Sequence, residues 1–109
     1  MPRDDGLLPG TLAMLILRVL ATEPLHGYAI AQRIAALSNN QLSVEEGSLY
    51  PALQKLLLKG WAKAAAAVSE SGRSVREYRL TAAGRKQLTA ERERFERTTG
   101  AIFAVLRTA

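Results

Sequence analysis

Catalysis and metal binding need groups that can ionise, ligate or attack, and this chain carries few of them. It has a single histidine, His26, and no cysteine, so no thiolate or multi-histidine ligand set can form. Asp4 and Asp5 are adjacent but belong to the N-terminal stretch Met1 to Asp5, where they make no paired-aspartate metal site. No serine has a histidine and a carboxylate that sequence spacing would bring to it, and the glycines form no phosphate-binding loop. His26 is followed by Gly27 and Tyr28, a pattern that marks a helix entry, so a structural role is expected for it. No catalytic set, metal or cofactor is expected.

The chemistry that the sequence does supply is electrostatic. Lys and Arg number 15 against 10 Asp and Glu, a formal charge of +5, and the sequence pI is near 10.1. Up to Gly60 the charges balance: Arg3, Arg18, Arg33, Lys55 and Lys59 stand against Asp4, Asp5, Glu23, Glu45 and Glu46. The basic excess therefore lies after Gly60, beginning with Lys63, Arg73, Arg76, Arg79, Arg85 and Lys86. An uneven positive charge of this kind suits a polyanionic partner.

These groups must be positioned by one small core. At 109 residues the chain has room for a single domain, and 48% hydrophobic with 23% charged residues is the balance of a folding globular sequence. The absence of cysteine fits a reducing compartment, and a cytoplasmic location is expected. The N-terminus lacks the pattern of an export signal, and the apolar run Leu12 to Leu17 is cut by Arg18, too short to span a bilayer, so no membrane association is expected.

Pro9-Gly10-Thr11 followed by Leu12, Met14, Leu15, Ile16, Leu17, Val19 and Leu20 predicts a first helix that starts at Thr11 and ends before Pro24. It is apolar on nearly every face, whereas a surface helix shows one apolar stripe, so a second surface is expected to cover it. A second helix is predicted from His26 to about Leu37, with Ile30, Ile34 and Leu37 on one side and Ser38-Asn39-Asn40 stopping it. Leu42 to Val44 suggests a short extended piece. A third helix follows from Ser48 to about Lys59, because Pro51 belongs in a first turn and so places the N-cap near Gly47 or Ser48. Gly60 is a natural stop.

Trp61 to Val68 and Val75 to Leu80, joined by Ser69-Glu70-Ser71-Gly72-Arg73-Ser74, predict a β-hairpin, although Ala64 to Ala67 favours helix and packs little. Thr81 then caps a last helix that runs toward Leu106. Leu88, Phe95 and Ile102 recur every seven residues on it, a narrow stripe suited to pairing with another helix. The last helix of one chain is thus expected to cover the first helix of its partner, through Leu88, Phe95, Ile102 and Leu106 on one side and Leu12, Leu15 and Ile16 on the other. The order helix, helix, helix, hairpin, helix is that of a winged helix-turn-helix, whose third helix enters the major groove while the hairpin lies along the DNA backbone. The expected fold class is mainly α with a small β-hairpin. Residues 1–80 form the winged helix-turn-helix, and residues 81–109 form a C-terminal dimerisation helix continuous with it.

Leu8-Pro9-Gly10-Thr11, His26-Gly27-Tyr28, Glu46-Gly47-Ser48-Leu49-Tyr50-Pro51-Ala52-Leu53 and Tyr78-Arg79-Leu80-Thr81-Ala82-Ala83-Gly84 together resemble the PadR-like transcriptional regulators. The resemblance spans almost the whole chain, and the Ser-Leu-Tyr-Pro-Ala-Leu stretch is its most specific part. It implies a homodimer of the short form, with one C-terminal helix, that binds double-stranded operator DNA. Two features depart from the family. Leu57 and Leu58 replace charged residues, which suggests an extra apolar contact near Leu58, and the alanine run suggests a less ordered wing.

On this reading Ser48, Tyr50, Gln54 and Lys55 of the third helix meet bases and phosphates, and Arg73 and then Arg76 of the wing meet phosphate or the minor groove. The alternative for the helix is a solvated face with Tyr50 partly in the core, and for the wing a merely solvated basic hairpin. Trp61, Phe95 and Phe103 are candidates for a pocket between subunits that takes a small aromatic effector, as some members of the family do; core and dimer packing is the alternative. The expected function is sequence-specific DNA binding as a dimeric repressor on a palindromic operator. The competing reading is a winged-helix module for protein contact without specific DNA binding.

Overall fold

The computed structural model describes residues 10–108, so Asp4, Asp5, Leu8 and Pro9 lie outside the described residues. Seven elements follow in order: α1 (Leu12–Leu20), β1 (Leu25–His26), α2 (Gly27–Leu37), α3 (Glu46–Leu58), β2 (Ala62–Val68), β3 (Ser74–Leu80) and α4 (Ala82–Leu106). Four helices with a three-stranded antiparallel sheet, ordered β1-β3-β2, make the predicted winged helix. No described helix is long and apolar enough to cross a membrane.

The apolar circumference of α1 is explained largely within the protomer. The helix contacts α2, α3, α4 and β3 and buries Ile16, Leu17, Val19 and Leu20. Ile16, expected at the dimer surface, has 0% exposure in its own core and offers nothing to a partner. A helix at the centre of a small bundle meets neighbours on several sides, and that asks for the same all-round apolarity as a dimer interface. Leu12, Met14 and Leu15 are only partly buried and leave the first turns of α1 open to a second surface.

His26 sits at the N-cap of α2, where its Nδ1 accepts the Ala29 N–H at 3.3 Å, the structural role expected of it. Ile30 and Ile34 are buried, and the helix ends at Ser38, with Asn39 and Asn40 in left-handed conformations. Leu37, placed by its spacing on the same face, is exposed beyond the core. Residues 42–44 form no strand.

The third helix begins earlier than its proline suggests. Glu45 is its N-cap, the Ser48 and Leu49 N–H groups both donate to the Glu45 carbonyl at 3.0 and 2.9 Å, and Pro51 falls in the second turn. A proline there costs about 3 kcal/mol at an interior position. The buried Leu49, Leu53 and Leu56 on the same helix contribute about 1.5–3 kcal/mol each, which outweighs it.

The hairpin forms in the predicted register class, with Ala62 opposite Leu80 through Val68 opposite Ser74. The alanine run is regular strand along its whole length, in contrast to the expected loose wing. Its pairing is carried by the more β-prone Val75 and Tyr78 opposite Ala67 and Ala64. The sequence reading missed β1, whose two residues pair with Tyr78 and Glu77; so short a strand has no periodicity to detect.

The start of α4 is fastened to the start of β2. Thr81 Oγ1 accepts the Gly84 N–H at 3.0 Å and donates to the Gly60 carbonyl at 2.7 Å, and the Thr81 N–H donates to the Trp61 carbonyl at 3.1 Å. A side chain on Gly84 would overlap the Trp61 carbonyl oxygen, so glycine is required for this approach. Leu88 completes the core, and it too is withdrawn from the expected dimer stripe. No residue of α4 beyond it is buried, and the 25-residue helix, about 37 Å at 1.5 Å per residue, accounts for much of the 57 Å long axis.

Candidate nucleic-acid interface

Leu49, Leu53 and Leu56 anchor α3 in the core, which turns Gly47, Pro51, Gln54 and Leu58 outward as one exposed stripe at helical spacing. Ser48 and Lys55 flank the stripe on one side and Tyr50 on the other, all of them exposed. The four residues expected on this helix therefore share one open surface. Leu58 is 79% exposed and is not among the described residues that pack against the core, whereas Leu57 is.

Tyr50 is open on one side and packed on the other. It is 45% exposed, yet its ring lies so close to Gly27 that a methyl group there would stand 2.7 Å from the Tyr50 hydroxyl. The glycine of the His-Gly-Tyr motif thus makes room for the tyrosine of the Ser-Leu-Tyr-Pro motif and sets how the N-terminus of α2 meets α3.

The wing turn is closed by hydrogen bonds. The Ser69 N–H donates to the Arg73 carbonyl at 2.8 Å, the Gly72 N–H to the Ser69 carbonyl at 2.9 Å, and the Arg73 N–H to Ser69 Oγ at 3.2 Å. Arg73 is therefore presented from a defined backbone, with its side chain exposed. Arg76 is also exposed, and its guanidinium lies over the Tyr78 ring at 5.9 Å. That contact orients Arg76 without neutralising it.

Tyr28 was quoted in the sequence only as part of a motif, and it is 66% exposed at the centre of this region. It borders a cleft against Val44 to Tyr50 at the start of α3 and a groove that runs past Gln32 to Arg73 and Val75 of the wing. An exposed aromatic with a hydroxyl in the first turn of α2 was the available signal. Tyr28 thus borders both the cleft at the start of α3, which Glu45, Glu46 and Ser48 also line, and the groove between α2 and the wing, where Glu23, Glu70 and Glu77 stand with Arg33 and Arg73.

Trp61, Phe95 and Phe103 are not brought together within a protomer. Trp61 packs on the core with Lys59 Nζ at 5.8 Å from its ring, and Phe103 is exposed under the Arg107 guanidinium at 5.3 Å. Thr81 is bonded to Trp61, so a continuous helix carries Phe95 and Phe103 about 21 and 33 Å away from it. None of the three lines the grooves described above.

The architecture defines a winged helix-turn-helix with an extended C-terminal helix. Residues 16–90 match the model of the transcriptional regulator PadR-like family, and the chain belongs to that family. Its members are regulators of transcription and not enzymes. The chain is 41% identical over 90 residues to a 37.1 kDa protein of transposon TN4556 from Streptomyces fradiae, covering 83% of itself but only 24% of that protein. It is 32% identical over 89 residues to a protein called X from Lysinibacillus sphaericus, covering 82% of this chain and 81% of the other. Among solved structures, a transcriptional regulator from Clostridium thermocellum superposes with a TM-score of 0.80 at 26% identity, over 87% of this chain and 92% of that one.

Proposed function

We propose that the chain is a cytoplasmic repressor that binds a palindromic operator as a homodimer. The outward stripe of α3 enters the major groove, with Gln54 on a base edge and Ser48, Tyr50 and Lys55 at its margins. Arg73 and Arg76 hold the sugar–phosphate backbone beside it. The observation that carries this reading is the exposed face of α3, which presents Ser48, Tyr50, Gln54 and Lys55 on the side away from the buried Leu49, Leu53 and Leu56, on a chain whose positive excess lies after Gly60. A base-reading helix needs exposed amide and hydroxyl groups, and a grip needs cations next to it.

Dimerisation is supported by the distal half of α4. Ile102 is 54% exposed, and Phe103, Val105 and Leu106 are exposed with it on the last turns. These large apolar side chains are uncovered in the isolated chain, as are parts of Leu12 and Leu15. A partner's α1 meeting this stretch of α4, with Phe95 at its near end, would cover both. Two α3 helices would then face successive major grooves, about 34 Å apart on a palindrome.

Selection of duplexes from a randomised library by the purified chain, followed by mobility shifts on the enriched site, tests the reading. Enrichment of a palindrome and a dimer by light scattering are expected. Retention of no duplex at low salt by a folded protein overturns it, and leaves a module for protein contact as the use of the same surface.

A further inference from the structure

Most of the described glycines have a reason inside the chain. Gly27 and Gly84 make room for Tyr50 and Trp61, and Gly10, Gly60 and Gly72 have positive φ. Gly47 has neither reason. It is the second residue of α3, its φ lies outside the left-handed region, and a Cβ built on it meets nothing within 4 Å. Alanine would fit there and is the better helix former, so the fold alone favours a side chain at this position.

Pro51 stands four residues further along the same exposed stripe. Having no N–H, it leaves the Gly47 carbonyl without the donor that a helical carbonyl ordinarily receives from the fourth residue on. The stripe continues to Gln54, so its N-terminal end is bare backbone with an acceptor, about two turns before the amide proposed to read a base. Side chains normally hold the helix main chain away from the groove floor. A base edge approaches the main chain most closely where the Cβ is missing.

We propose that Gly47 is a specificity-determining residue. The backbone of α3 lies against a base edge there, and the Gly47 carbonyl accepts a hydrogen bond from an exocyclic amino group, adenine N6 or cytosine N4. This inference rests on the reading of α3 as the groove-docked helix. Gly100 supplies the control, because its Cβ position is equally empty but it lies on α4, two residues before Ile102 and so on the opposite side from the proposed dimer stripe of Phe95, Ile102 and Leu106.

The experiment compares the wild-type chain, Gly47→Ala and Gly100→Ala for melting temperature and for affinity on the library-selected duplex and on scrambled duplexes, and repeats the selection with Gly47→Ala. Both variants are expected to melt at or above the wild-type temperature. Gly47→Ala is expected to lose about tenfold or more in affinity for the selected duplex and to relax preference at one symmetric pair of base pairs, while Gly100→Ala keeps both. Unchanged affinity and preference in Gly47→Ala overturn the proposal, as does a lowered melting temperature, which would give the glycine a role inside the fold. An equal loss on every duplex overturns it too, by placing sugar–phosphate instead of a base against Gly47. If the wild-type chain selects no duplex, the operator-binding reading itself fails and this proposal falls with it.

Discussion

The junction between Gly84 and Trp61 sets the direction of α4, and Gly84→Ala tests it. By helix propensity alone the substitution should stabilise the chain by up to about 1 kcal/mol. The structure reverses the sign, because the new methyl group would overlap the Trp61 carbonyl oxygen and stand 2.9 Å from the Trp61 carbonyl carbon and 2.7 Å from Leu80 Cδ1. Two of these three atoms are backbone and cannot rotate away, so α4 must move from β2 by about an ångström, well beyond what a packed interior absorbs. That movement stretches the Thr81 bonds to Gly60 and Trp61, at 2.7 and 3.1 Å, worth about 0.5–1.5 kcal/mol each. Overpacking adds about 1–3 kcal/mol, and the net expected loss is about 2–4 kcal/mol. A domain of this size has about 5–15 kcal/mol in all, so the urea midpoint should fall by a large fraction. Because α4 carries the proposed dimer surface, light scattering of Gly84→Ala should also show more monomer. A variant as stable as the wild type would refute the close approach and the account of why this position is glycine.

Gln54→Ala is expected to cost about 1–3 kcal/mol on the selected operator and little on scrambled DNA, whereas Arg73→Ala should weaken both alike and lower the salt slope by about one. If titration shows the operator preference abolished by Arg73→Ala and intact in Gln54→Ala, the wing is the reader and the assignment of α3 is wrong. Ile102→Glu places a carboxylate on a residue that is exposed in the single chain and covered in the proposed dimer. It should leave the melting of the monomer fold intact and dissociate the dimer in light scattering; an unshifted dimer would move the interface elsewhere. Across salt concentrations, log affinity for DNA should fall linearly with log salt by about 0.9 per phosphate contacted, and a slope near zero would remove the wing and Lys55 from the contact. Leu53→Ala, at a site with 1% exposure, should cost about 2–5 kcal/mol in urea unfolding; a loss under 1 kcal/mol would mean that α3 is not anchored as described.

The order of elements was legible because it rests on local signals. Helical periodicity, the Asn39-Asn40 stop, the polar turn around Gly72 and the Thr81 cap each act within a few residues, and each lies where the sequence placed it. The outward face of α3 was legible for the same reason, since Leu49, Leu53 and Leu56 define by spacing which side is buried. The start of α3 was not. Local rules put Pro51 in a first turn, and the burial of three leucines across the core extended the helix past that limit.

The sequence by itself determined which stretches are helix or strand, which face of α3 is free, and that the positive charge lies late in the chain, because composition and periodicity are properties of the chain before it folds. Only the tertiary structure decided what the apolar residues of α1 meet, for apolarity records that a side chain is covered and not by which surface. It also separated the motif glycines by their work. Gly27 admits Tyr50 and Gly84 admits Trp61, contacts 23 residues apart in both cases, and nothing local to either glycine specifies the neighbour that packing brings to it.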